Sequence, residues 1–100
     1  MLDTRLILEA IALKKCLMAT YNRVDMKLAP HILYTKHGEL HMDAVALTKA
    51  GAPPKYRKLG AFRLSGLTHV ALTDEAFAVD PLYLSGAERY EGETLLAIET

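Results

Sequence analysis

Two apolar strands joined by a tight turn are the feature that most restricts how this chain can fold. The segment 30–34 begins with Pro30 and is followed by Gly38 and by a second stretch of alternating apolar residues, 40–47. Glycine adopts the left-handed backbone that short hairpin turns require, so this spacing predicts a β-hairpin with a three-residue loop, 36–38. Because proline cannot donate to a strand ladder, we expect Pro30 at an edge or a bulge.

The register of this hairpin predicts one apolar face and one polar face. A loop at 36–38 pairs Thr35 with Glu39, and the apolar face then pairs Tyr34 with Leu40, Ile32 with Met42, and Pro30 with Ala44. The other face places Leu33 opposite His41 and His31 opposite Asp43. A slip by one residue would mix the two faces and bury polar groups, which favours this register.

The polar face of the hairpin carries His31, His41 and Asp43, which are residue types that bind metal ions. The set is one ligand short of a usual site, and a hydrogen-bonded His–Asp pair explains it as well. We therefore predict no metal and no other cofactor, and retain the three residues as candidates for ligand binding.

Periodicity predicts one helix before the hairpin and further strands around it. Apolar residues recur at helical spacing from Leu6, and Asp3 or Thr4 can cap the first turn, so a helix is expected at about 3–14. The remaining strands are predicted at 16–21, 26–35, 39–48, 56–64 and 67–72, with a final edge strand at 93–98 in an irregular acidic segment, 74–100. The expected fold is a single, mainly β (α+β) domain, a small bent β-barrel of about five strands over 16–72 with an N-terminal helix. A helix this apolar must cover the open end of the barrel or a partner subunit.

The zero net charge of the chain conceals an uneven distribution. Residues 1–73 hold 11 basic and 5 acidic groups, a net of +6, whereas residues 74–100 hold 1 and 7, a net of −6. This split indicates an acidic segment that packs on its own body, a contact between copies in a homo-oligomer, or a solvated acidic face. A single cysteine, Cys16, is typical of a buried thiol in a protein of the reducing cytoplasm. No apolar run is long enough to span a membrane, so we expect no membrane partner.

A second group of candidate residues is basic. Lys55, Arg57, Lys58 and Arg63 bring four positive charges into nine residues, with Tyr56 and Phe62 among them. Interleaved basic and aromatic residues can follow a nucleic-acid backbone and stack on bases. If 56–64 is a strand, the two arginines project from the face opposite the aromatic residues. A solvated basic strand and an anion site at Arg63 therefore remain alternatives to a nucleic-acid groove. No sequence motif for catalysis is present, which predicts a protein that is not an enzyme.

The order of these elements resembles the WYL domain, a small SH3/Sm-like barrel of bacterial transcription regulators, over residues 6–80. The matching residues are Ala10-Ile11, Tyr21, Leu28, Pro30, Leu33, Gly38, Ala44, Phe62-Arg63-Leu64, Leu67 and Phe77. The triplet that names the family falls on residues 40–42, where His41 stands in place of the tyrosine, and Gly66 stands at a basic ligand-contacting position.

The resemblance implies a non-enzymatic regulatory module that recognises an anionic small ligand or single-stranded nucleic acid. We expect a stand-alone member of this type, acting in trans in transcriptional regulation. The candidate ligand-binding residues are His31, His41, Asp43, Arg57, Lys58 and Arg63. The alternative is a structural protein that self-associates through the N-terminal helix or the acidic C-terminal segment.

Overall fold

A computed structural model describes residues 4–100 of the chain. These residues contain one α-helix and six β-strands. The elements are α1 (Thr4–Leu13), β1 (Lys15–Tyr21), β2 (Val24–Lys36), β3 (Glu39–Lys49), β4 (Leu59–Arg63), β5 (Leu67–Ala76) and β6 (Thr94–Ala97). The prediction of a mainly β domain with an N-terminal helix is confirmed. The predicted cap Asp3 lies outside the described residues, and β6 falls within the stretch predicted as the final strand.

The strands form one bent antiparallel sheet in the order β4-β3-β2-β1-β5. The long strand β2 pairs with β1 near its beginning, with β6 near its end, and with β3 over most of its length. Among the described residues no pairing joins β4 to β5, so the sheet is not closed into the expected barrel. The acidic C-terminal segment returns through β6 to the middle of the sheet.

The hairpin of β2 and β3 has a shorter turn than the sequence predicts. His37 and Gly38 both have positive φ, of 53° and 77°, which gives a two-residue turn and pairs Lys36 with Glu39. The strands are thus offset by one residue from the predicted register near the turn. A bulge at His31 restores the predicted pairing of Pro30 with Ala44, so Pro30 borders a bulge as expected.

The turn between β1 and β2 offers a direct test of local strain. Asn22 and Arg23 have φ of 52° and 64°, and a left-handed conformation disfavours any side chain at Arg23. We expect Arg23→Gly to raise the free energy of unfolding by about 0.5–1 kcal/mol, because Asn-Gly suits this turn. Urea unfolding measures the change. Arg23→Ala is the control and should be close to neutral; an equal gain in both variants would attribute the effect to the lost side chain instead.

The helix packs its apolar stripe against the sheet of its own chain. Ile7, Ala10 and Ile11 are fully buried, whereas Leu13 is 59% exposed. The helix as a whole contacts β1, β2, β5 and β6. Cys16 is also buried, and burial, followed by the charge of Glu75, raises the pKa of its thiol. No helix within residues 4–100 is long and apolar enough to cross a membrane.

Candidate functional site

The basic loop, residues 49–58, connects the end of β3 to the start of β4 and carries an exposed aromatic ring. Tyr56 is 73% exposed, and the Nζ of Lys55 lies 5.5 Å from the centroid of its ring. A cleft of about 40 Å³ beside this ring is lined by Lys49 and Lys58, with the small residues Ala44, Ala46 and Gly60, and with Pro54 and Phe62. The loop therefore combines an open stacking surface with a shallow, positively charged depression.

The lysines of the basic loop have no acidic partners among residues 4–100. Residues 44–73 contain no Asp or Glu, and within the described part of the chain no carboxylate lies within ion-pair distance of Lys49, Lys55 or Lys58. Their charges are not compensated locally, so the loop carries a positive potential that attracts anions.

Arg57 differs from these lysines because it is held by a carboxylate. Its Nε lies 3.2 Å from Oδ2 of Asp80, which is 13% exposed, while Arg57 remains 60% exposed. Asp80 belongs to the crossing segment, residues 77–83, which follows β5. The ion pair thus connects the basic loop to the acidic part of the chain.

His31 lies beneath the crossing segment and is fully buried. Its Nε2 accepts a hydrogen bond of 2.9 Å from the backbone N–H of Asp80, so Nδ1 carries the proton and donates to the carbonyl of Ala29 at 2.8 Å. The rings of Phe77 and Tyr83 lie 5.2 and 5.3 Å from the imidazole. Burial lowers the pKa of His31, and the hydrogen bond to Ala29 and the charge of Asp80 oppose that change. His31 is therefore a neutral, structural group.

Asp43 is the centre of a second buried network and is only 1% exposed. Its Oδ1 accepts a hydrogen bond of 2.6 Å from the hydroxyl of Tyr34. Its Oδ2 accepts from the hydroxyl of Tyr90 and from Nε and Nη2 of Arg89, at 3.2 and 2.9 Å for the two nitrogens. Burial, followed by the hydrogen bond to Asp43, raises the pKa of both tyrosines well above its usual range. This carboxylate is fully engaged inside the protein.

His41 and Arg63 are paired neighbours on β3 and β4, and the ring of His41 lies 5.9 Å from the ring of Tyr34. The Nδ1 of His41 lies 3.1 Å from the carbonyl of Glu39, to which it can donate, and the Nε of Arg63 lies 3.4 Å from a carboxylate oxygen of the same glutamate. Strand geometry separates Arg63 from Lys58 by about 16 Å. A shallow depression of about 180 Å³ beside Arg63 is also lined by Glu39 and by Leu40, Leu64 and Ser65.

The six predicted site residues thus occupy separate places. His31 and Asp43 are buried, His41 and Arg63 lie at the pairing of β3 with β4, and Arg57 and Lys58 belong to the basic loop. Within residues 4–100 no three His, Cys, Asp or Glu side chains are placed to hold a metal ion.

Two residues that the structure places at these sites, Lys49 and Arg89, are missing from the set predicted from the sequence. Lys49 joins Lys58 at the cleft because β3 ends where the basic loop begins. Arg89, which is about half exposed, supplies the cationic partner of the buried Asp43. A signal for it exists in the sequence, since it is the one basic residue of 74–100.

Another surface groove lies over a bulge of β5 where it pairs with β1. It encloses about 440 Å³ and is lined by Met18, Ala19, Thr20, Asp25 and His69. His69 has a φ of 53°, and Asp25 accepts a hydrogen bond of 2.7 Å from Thr20. The groove has a carboxylate, that of Asp25, and neither a lysine nor an arginine in its lining, so it does not suit an anion.

Comparisons with known proteins add no relationship: no family model, no curated protein and no solved structure matches the chain.

Proposed function

We propose that this chain is a non-enzymatic binding module that recognises single-stranded nucleic acid with its basic loop and acts in cytoplasmic regulation. The observation that carries the proposal is the exposed ring of Tyr56 beside three lysines that lack acidic partners in the described part of the chain. Aromatic rings stack on bases of any sequence, and lysines contact the phosphates between them. The resemblance to WYL domains supports the same class of ligand and a regulatory role in trans.

The size of the cleft favours a polymer over an enclosed small ligand. Its volume of about 40 Å³ has room for about three water molecules, while small-molecule pockets enclose about 300–1,000 Å³. A phosphate of a nucleic-acid strand needs only a shallow, charged surface, because neighbouring nucleotides supply the remaining contacts. An anionic small ligand is the alternative outcome of the binding experiment below.

A second candidate function is self-association. Leu84 and Leu95 are 66% and 58% exposed in the acidic C-terminal part of the chain, which supports a contact between copies there. The helix is a weaker candidate surface, because its apolar stripe packs on the sheet of the same chain. Light scattering at low and high salt tests for self-association. A protein that remains a monomer at all concentrations would exclude it.

Tyr56→Ala is expected to weaken binding to an oligo(dT) strand by about 5- to 160-fold, since stacking on one aromatic ring contributes about 1–3 kcal/mol. Lys58→Gln should weaken binding and reduce the slope of log affinity against log salt by about 1, because one phosphate contact is lost. Fluorescence anisotropy at several salt concentrations measures both effects.

Lys36→Gln is the matched control, because Lys36 is an exposed lysine at the turn of the hairpin, about 30 Å along β3 from the basic loop. Equal losses in Lys36→Gln and Lys58→Gln would indicate attraction by overall charge and contradict a site at the loop. Tight binding of a mononucleotide, with no gain from a longer strand, would favour the small ligand.

A further inference from the structure

Asp80 connects the buried imidazole of His31 to the basic loop through two different groups. Its backbone N–H donates to Nε2 of His31, and its carboxylate holds Arg57. The same residue closes a tight turn, because its carbonyl accepts from the N–H of Tyr83 and its Oδ1 accepts from Leu82. The turn is therefore a compact unit with polar contacts to His31 on one side and to Arg57 on the other.

Protonation of His31 is incompatible with one of these contacts. An imidazolium donates from both nitrogens, so Nε2 can no longer accept from the backbone N–H of Asp80 and needs an acceptor instead. Two ionisable groups of the crossing segment lie near His31, namely Asp80 and Tyr83. Asp80 is in turn paired with Arg57. Tyr83 packs against Tyr90, which belongs to the network of Asp43 and Arg89. Asp43 is already occupied by three donor residues. The buried hydroxyl of Tyr83 has no hydrogen-bond partner among the described residues, but it carries no charge, so the carboxylate of Asp80 is the acceptor that also compensates the charge of the imidazolium.

We propose that protonation of His31 transfers the carboxylate of Asp80 from Arg57 to the imidazolium, and so makes Arg57 available to a phosphate at the basic loop. The proton comes from solvent, one ion pair replaces another, and no covalent bond changes. This inference rests on the proposed function of the basic loop and adds its regulation: affinity for a nucleic-acid strand increases in acid. By linkage, a bound strand also favours protonation of His31.

The direction of the pH effect follows from burial. Burial lowers the pKa of His31 in the folded protein below its ordinary value of 6.5, so the unfolded chain binds the proton more readily. The stabilisation by neutral His31 is complete above pH 6.5 and is lost as pH falls through the lowered pKa. The carboxylate of Asp80 limits this loss by accepting from the imidazolium.

Nuclear magnetic resonance of the full chain tests the transfer without any ligand. Between pH 7.5 and 5, the backbone amide of Asp80 and the Nε–H of Arg57 are expected to shift in step with the imidazole of His31. A titration of His31 that leaves the Arg57 Nε–H unchanged would overturn the transfer.

Binding of oligo(dT) tests the consequence, with wild type compared with Arg57→Gln at pH 7.5 and 5. On acidification, the slope of log affinity against log salt should become steeper in both proteins, by about 1 more in the wild type than in the variant. The difference arises because Arg57 becomes available to a phosphate only in the wild type. The other histidines, His37, His41 and His69, are present in both proteins, so the comparison isolates the contribution of Arg57. His31→Gln, which keeps an acceptor and cannot titrate, should behave like Arg57→Gln.

Two results separate the inference from the function on which it rests. Equal changes in wild type and Arg57→Gln, with binding at pH 7.5 still dependent on Tyr56, would overturn the inference and leave the proposed function intact. No binding at either pH would contradict the proposed function, whatever the resonances of Asp80 and Arg57 do.

Discussion

Asp43→Ala is expected to lower the free energy of unfolding by about 3–5 kcal/mol, the largest loss among the substitutions considered for this chain. Asp43 is buried and accepts from Tyr34, Tyr90 and Arg89. Removing its carboxylate leaves two buried hydroxyls without acceptors and a guanidinium without its counter-charge. Urea unfolding followed by circular dichroism measures the loss.

Two controls distinguish this network from a simple loss of charge. Glu39→Ala removes another β3 carboxylate, whose ion pair with Arg63 is exposed, and should cost less than about 1 kcal/mol. Asp43→Asn keeps an acceptor for one hydroxyl and is expected to lie between the two. A loss in Asp43→Ala no larger than in Glu39→Ala would show that the network contributes little to stability.

Ile11→Ala is expected to cost about 2–4 kcal/mol, the second large effect, because it empties space between the helix and the sheet. Leu13→Ala is the matched control on the same helix; Leu13 is 59% exposed, so its change should stay within about 0.5 kcal/mol. Thermal unfolding at several protein concentrations measures both.

The concentration dependence of this experiment discriminates between two roles of the helix. If α1 packs only on its own sheet, the Tm of wild type and of Ile11→Ala is independent of concentration. A Tm that rises with concentration, together with a large loss in Leu13→Ala, would show that the helix also joins copies of the chain.

Local patterns predict the elements of this fold well because they depend on nearby residues. Helical spacing from Leu6 and alternation on both sides of Gly38 place α1, β2 and β3 within a few residues of their observed bounds. The register is less accessible, since it depends on His37 adopting a positive φ, which few residues other than glycine favour. The bulge at His31 then compensates for the shorter turn, and no local pattern marks that residue.

The candidate site was harder to predict because its contacts link distant parts of the chain. Arg57 and Lys58 were found from their charge, but the partner of Arg57 is Asp80, in a segment predicted as irregular. His31 and Asp43 alternate like members of an exposed polar face, yet each is covered by residues of the acidic segment. Whether the sheet closes into a barrel likewise depends on long-range packing rather than on the sequence of any one strand.

The hydrogen bonds that satisfy the two buried polar side chains also set an order for folding during synthesis. Arg89, one partner of Asp43, follows it by 46 residues, and Asp80, one partner of His31, follows it by 49 residues. β6 also pairs with β2 from the far end of the chain. A nascent chain that has emerged from the ribosome only as far as β5 can form the helix and the first five strands, but its central carboxylate and imidazole still face water. Native packing around them must therefore wait for the last quarter of the chain, and contacts of such long range are typical of slow-folding topologies.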